Sequence, residues 1–390
     1  MSQPAFEVAD IFQQYGQAYR TEHKLTQKQR RVMWAITHCR TDRMGYHLDQ
    51  CNHCGYTEQV FNSCRDRHCP KCQGVARHKW INSRLEQVLP VPYYHSVFTL
   101  PHDLNLLAAY NRRLIYDLLF DSSARTLLAF GRDPDRLGGE IGFFGVMHTW
   151  GQTLWQHPHV HYIVPGGALA KDGRWINAPH RNKFLFPVKA LSKVFRGKFI
   201  EGLKKAYYDG RLALPDKELA DGRCFELWLD QLASRKWVVY CKSPLKKPDQ
   251  VVRYIGRYTH RVAISNQRLI SVEQEQVRFR YKNYRKSRIV WEEISLDALE
   301  FIKRFLWHVL PHGFHKIRHY GFMTNSRCRE RIAHIKNLLS TDDSDNTNTK
   351  GDSAPTCPKC KTGDLISLFI YGLKGLKGPI IRNRCLFDTS

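Results

Sequence analysis

The chain contains no run of about 18 apolar residues, so no membrane-spanning helix is expected. Met1 to Arg20 mixes polar and apolar residues and lacks the apolar core of a secretory leader, which points to the cytoplasm. There is no G-x-x-x-x-G-K-[ST] loop, so no nucleotide-driven motor is built in. Acidic residues are scarce and scattered, 36 Asp and Glu against 61 Lys and Arg. That scarcity argues against a site in which three carboxylates clamp two metal ions. No repeat of fixed period is present.

The same scarcity leaves a formal net charge of +25. A surplus this large calls for a polyanionic partner, most often nucleic acid; a generally basic surface with no dedicated partner is the plainer alternative. Aromatics make up 12% of the chain, many of them among arginines and lysines, a mixture that suits stacking on unpaired bases. With 390 residues, two or three domains and a sizeable core are expected.

The periodicity predicts helices over residues 1–40, 74–92, 105–130, 187–220, 249–261 and 296–309. Strands are predicted from Tyr94 to Leu100, Ile141 to His148, Pro158 to Val164 and Lys236 to Lys242, the second and third being neighbours joined tightly. Gln276 to Trp291 reads as a hairpin rich in Arg, Lys and Tyr. Thr341 to Thr356 is polar and acidic with no apolar anchor, and reads as a flexible linker before a basic tail.

Of the 12 cysteines, several form C-x-x-C pairs, which in a reducing compartment read as zinc ligands. Cys51-x-x-Cys54 and Cys69-x-x-Cys72 lie 14 residues apart, slightly under the usual gap of about 15–20. These four are expected to surround one structural zinc. Cys39, Cys64 and His68 are further candidates, as replacements or for a second zinc, although Cys64 reads more simply as a small buried residue. Cys357 and Cys360 form half a site that Cys385 and Cys328 could complete.

His157-Pro158-His159-Val160-His161 carries the most chemistry. Residues two apart on a strand share a face, so His159 and His161 can hold a divalent metal that polarises a phosphodiester. Gln152 is the preferred third ligand and His157 the competitor, since Pro158 is expected to distort the strand there. Downstream, Tyr254 and Tyr258 lie one helical turn apart, each able to form a covalent phosphotyrosine. Taken alone, they would read as core aromatics. Arg253, Arg257 and Arg261 beside them favour phosphate binding over a solvated face. Arg278, Arg280, Lys282 and Arg285, interleaved with aromatics, form a candidate strand-binding surface.

Asn62 to Gln73 (NSCRDRHCPKCQ), the H-P-H-V-H strand and Tyr254 to Ser265 (YIGRYTHRVAIS) together resemble the rolling-circle insertion-sequence transposases, the two-tyrosine HUH class of the IS91 family. The resemblance covers roughly residues 15–335. It implies an α+β HUH nuclease-type fold, a central antiparallel sheet with helices, preceded by a small zinc-binding domain. The expected division is a helical and zinc-binding DNA-binding domain at 1–92, a tyrosine nuclease domain at 93–340, a linker at 341–356 and a tail at 357–390. The resemblance implies Mg- or Mn-dependent nicking of single-stranded DNA, with structural Zn. Its implied partners are single-stranded and duplex DNA at element ends and target, and the host replication machinery, in the bacterial cytoplasm at the nucleoid. A plasmid replication initiator or relaxase would share this chemistry. A non-catalytic zinc DNA-binding regulator would leave the histidine strand unexplained.

Overall fold

The computed structural model describes residues 4–74, 77, 81, 87–179, 184–245, 251, 254, 256, 259–284, 288–324, 328–340, 355–372 and 375–379. The chain opens with helices Val8–Glu22 and Gln27–Thr37. Thr26 starts the second: its hydroxyl accepts from the Gln29 amide, and the Gln29 side chain accepts from the Thr26 amide. Two helix-end donors are satisfied reciprocally in this way. A β-ribbon follows, β1 (Tyr46–Cys51) antiparallel to β2 (Thr57–Phe61).

The central sheet uses β3 (Tyr93–Thr99), β4 (Phe143–Trp150) and β5 (Gln156–Pro165). A small pair, β6 (Gly167–Leu169) and β7 (Trp175–Asn177), comes next, then β8 (Val238–Leu245). A three-stranded meander of β9 (Leu269–Glu273), β10 (Gln276–Asn283) and β11 (Val290–Asp297) precedes β12 (Ile317–Tyr320). The described chain closes with β13 (Leu365–Gly372) and β14 (Gly375–Pro379). The central sheet runs β12-β4-β5-β3-β8, every pairing antiparallel. The α+β class with a central antiparallel sheet, expected from the resemblance, is the fold observed.

Side-chain alternation gives the sheet two unlike faces. On one, Tyr94, Phe98, Phe143, Met147, Val160, Tyr162 and Val164 are buried with residues of helices Arg112–Arg132 and Val188–Tyr208. Each such side chain removed from water contributes roughly 1.5–3 kcal/mol. The other face carries His95, His148, His159 and His161, with Phe144, Val146 and Ile163 beside them in a smaller apolar cluster.

Two sequence expectations change. The hairpin over Gln276–Trp291 is the middle of the meander, because Leu269–Glu273 adds a strand on its far side. The tail does not stand apart: β13 pairs along the whole of β1, so the sheet order there is β14-β13-β1-β2. Of the expected tyrosine helix, Val251, Tyr254, Gly256 and Thr259 are described and helical. Most of 74–92 and all of 341–354 lie outside the described residues. Among the described residues no helix is long and apolar enough to cross a membrane.

Gly145 on β4 faces Tyr162 on β5, whose ring would stand 2.5 Å from an added Cβ. The Tyr162 hydroxyl is held by Ser123 at 2.7 Å, so the ring cannot swing aside cheaply. Gly145→Ala should therefore lower stability by about 1–3 kcal/mol, read as a drop in urea midpoint. An unchanged midpoint would mean that the ring yields.

Candidate metal and tyrosine site

Pairing of β4 with β5 sets His148 opposite His159, two residue pairs from Val146 opposite His161. His148, His159 and His161 each turn one nitrogen into a common space, all within 4.8 Å of one another. Trp150 stacks on His148 with ring centres 4.7 Å apart. Burial, with the neighbouring His157, pushes His159 down to about 3, and burial also holds His161 well below its ordinary value. These imidazoles are therefore neutral near pH 7, the form that binds metal.

Gln152, the third ligand expected from sequence, is not in this group. The turn after β4 carries it away: its backbone carbonyl accepts from Arg268 and its side chain faces the Lys282 amide at 3.5 Å. His148 joins the two expected histidines instead, directly opposite His159 on β4. His157 continues along β5 beyond the group, its ring 4.9 Å from that of His159 and 5.6 Å from that of His102. His148 was within reach of the sequence, sitting at matching parity on the strand predicted beside the H-P-H-V-H run.

Sequence reasoning also passed over His95. On β3, its Nε2 lies 2.8 Å from His161 Nδ1 and its Nδ1 lies 2.8 Å from the Tyr254 hydroxyl. One imidazole thus joins a tyrosine from the expected pair to the histidine group. Burial, helped by the Lys242 charge, pushes His95 down to about 3. Tyr258, Arg253, Arg257 and Arg285 lie outside the described residues.

The turn between β4 and β5 is fixed from outside the sheet. His308 accepts from the Thr149 hydroxyl at 3.2 Å and donates to the Leu154 carbonyl at 3.0 Å. Arg304, on helix Ala298–Trp307, donates to the Thr153 carbonyl at 3.3 Å. Beyond Trp150 a small cavity is lined by Arg67, Arg261 and Lys316. Burial and the charges of Arg67 and Arg261 pull Lys316 down to about 7. On β10, Arg278 and Arg280 are exposed and Lys282 lies over the Trp291 ring. That face is less uniformly cationic than the strand alone implied, since β11 sets Glu293 opposite Arg280 and 3.8 Å from Arg278.

The cysteines regroup. Cys69 and Cys72 gather with Cys39 and Cys64, and Cys51 and Cys54 gather with Cys357 and Cys360. One zinc shared by Cys51, Cys54, Cys69 and Cys72 is excluded by the β1–β2 hairpin. Cys51 and Cys54 sit at its turn, while Cys39 and Cys64 flank its open end, where Tyr46 pairs with Phe61. Five paired residues separate the two ends by about 16 Å. In the first group, Cys72 Sγ lies 3.5 Å from both Cys39 Sγ and Cys64 Sγ. A tetrahedron with metal–sulfur bonds of about 2.3 Å has edges near 3.8 Å, so this donor set fits zinc. Cys64 is a member, not mere filling. His68 is not: its Nδ1 donates to Asp66 and its Nε2 accepts from the Leu310 amide. Cys328 joins neither group, and Cys385 lies outside the described residues.

A basic α+β protein that joins an N-terminal four-thiolate domain to a sheet with a histidine-lined face defines the class. Comparison with known proteins supplies the family. A family model described as "Putative transposase" matches residues 142–331, and one described as "Transposase zinc-binding domain" matches residues 11–100. A Sinorhizobium fredii protein of the former description, y4qJ, is 44% identical over the full length of both chains. The transposase for insertion sequence element IS801 of Pseudomonas savastanoi pv. phaseolicola is 30% identical, over 77% of this chain and 72% of its own. No solved structure matches significantly. The chain belongs to the IS91 family of transposases and carries that family's N-terminal zinc-binding domain. Its substrate is accordingly DNA.

The buried histidines also set a pH dependence. His95, His159 and His308, each near 3 when folded, titrate near 6.5 in the unfolded chain. Between these values the unfolded state binds more protons, so stability is full above about pH 6.5 and falls as pH drops towards 3. Urea midpoints measured from pH 7 to pH 4 should decline steadily; a flat profile would contradict the burial of these rings.

Proposed function

We propose that this transposase nicks single-stranded DNA at its element's ends through a 5′-phosphotyrosine link and moves the strand by a rolling-circle route. The observation that carries this reading is the hydrogen-bonded line Tyr254–His95–His161, which ends in the group of three histidines. His148, His159 and His161 would hold a divalent ion, and three imidazoles favour Mn over Mg as the softer of the two. Such an ion, when bound, withdraws charge from a phosphodiester oxygen.

The remaining chemistry belongs to the chain. His161 uses Nδ1 for His95, so Nε2 is the atom that would face a metal, and a neutral ring then keeps its proton on Nδ1. That proton is donated to His95 Nε2. His95, also neutral, therefore keeps its own proton on Nδ1 and donates it towards the Tyr254 oxygen. This donation stabilises negative charge on the oxygen as it attacks phosphorus. The new bond joins the tyrosine oxygen to the 5′-phosphate, and the bond to the 3′-oxygen breaks. Tyr254 releases its proton to solvent as it attacks, and the departing 3′-oxygen takes one up from solvent as a hydroxyl able to prime host polymerase, while the phosphotyrosine conserves the bond for rejoining. Tyr258 would serve the second strand event.

Arg67, Arg261 and Lys316 support the same reading. Lys316, partly buried and flanked by the exposed Arg67 and Arg261, is stabilised in its charged form by a ligand that brings negative charge, and a DNA phosphate next to the scissile one fits. The exposed Arg278, Arg280 and neighbouring Lys282 would extend the strand's path across the meander.

The test is a covalent-adduct gel with labelled single strands from the element's ends. An SDS-resistant adduct should form with Mn, vanish with EDTA, and be lost in His148→Ala and in Tyr254→Phe/Tyr258→Phe. Nicking that survives the double tyrosine change would end the proposal. His95→Gln should slow nicking by about 100-fold and move the pH–rate profile to more alkaline values. A uniform loss with an unmoved profile would reduce His95 to a packing role.

A further inference from the structure

We propose that Cys51, Cys54, Cys357 and Cys360 form a second four-thiolate zinc site that fastens the chain's C-terminal segment to the N-terminal ribbon. The two cysteine pairs are more than 300 residues apart in sequence, and Cys357 and Cys360 lie outside both matched family ranges. Yet the four sulfurs converge within 4.8 Å. Cys51 Sγ lies 3.7 Å from Cys360 Sγ, and Cys54 Sγ lies 3.7 Å from Cys357 Sγ. These spacings match the edge of about 3.8 Å in a zinc–sulfur tetrahedron with bonds near 2.3 Å. A disulfide would need about 2.05 Å.

The backbone is built for metal on both sides. The amides of His53 and Cys54 point at Cys51 Sγ, each at 3.4 Å, and the amide of Gly363 points at Cys360 Sγ at 3.3 Å. Amide donors aimed at sulfur favour the thiolate over the thiol. The turns repeat one another: Gly55 donates to the Cys51 carbonyl and Lys361 to the Cys357 carbonyl, and both residues take positive φ, 71° and 59°. Gly363 closes against the site, where an added Cβ would meet Cys51 Sγ at 2.5 Å. Asn52 and Asp364 then exchange hydrogen bonds between the two knuckles, and β13 continues along β1. Closing so long a loop costs chain entropy that one strand pairing offsets poorly; four metal–sulfur bonds supply the difference. The site makes the end of the chain part of the zinc-binding domain, and it covers an edge of β1 that would otherwise be open.

The test counts zinc in the full-length protein, in a His159→Ala background so that the histidine group does not contribute. Two zincs per chain are expected, with X-ray absorption showing sulfur ligands alone. Cys360→Ser should hold one zinc, and Cys360→His, which keeps a ligand, should hold two with one nitrogen among the donors. One zinc in the parent protein, or two retained by Cys360→Ser, would overturn the proposal. If Cys360→Ser fails to fold, the parent's count and ligand type decide: four sulfurs on each of two zincs sustain it, and anything less refutes it.

Discussion

The pairing register of β4 with β5 is the constraint on which the site depends. Strand side chains alternate with a period of two, so a slip of one residue would turn His148 into the apolar core and bring Met147 to the histidines. Two opposed features hold the register. On the core face, Gly145 leaves room for the Tyr162 ring, which no other pairing offers. At the turn, His308 and Arg304 hold the backbone of Thr153 and Leu154 from a different layer of the molecule. The packing that stabilises the sheet and the geometry that gathers the histidines are thus one arrangement seen from its two faces.

Burial then decides the electrostatics. The histidine face lies between two apolar clusters, which removes water and keeps the imidazoles neutral as candidate ligands. Burial beside Arg67 and Arg261 makes the charge of Lys316 costly, so it loses its proton more readily than an exposed lysine. A site that is neutral at its centre and cationic at its rim suits a polyanion whose reacting phosphate must be held without being trapped. The +25 charge of the chain, spread more widely, suits its DNA substrate.

The N-terminal domain follows a different logic. Its hairpin is too short to bury a core of its own, and the sulfurs at its ends take over that role. Hairpin length forbids one shared zinc and assigns each C-x-x-C pair to its own end. Helix packing on one side, with Phe12 edge-on to Phe305 at 5.3 Å, and strand pairing on the other join this small domain to distant parts of the chain.

Much of this was legible in one dimension. Charge, the C-x-x-C spacings and the parity of His159 and His161 are local patterns, and local patterns survive translation into sequence. Together with the resemblance that the longer motifs carry, they were enough to name the α+β class, the zinc-binding domain and the transposase family. Tertiary structure alone decided other partnerships: His95 between Tyr254 and His161, and Cys51 with Cys357 rather than with Cys69. Each of these joins residues brought together by strand register or by a returning chain end. Spacing along a sequence constrains only what one element can present; which elements meet is set by the burial of their apolar faces, a property of the whole chain.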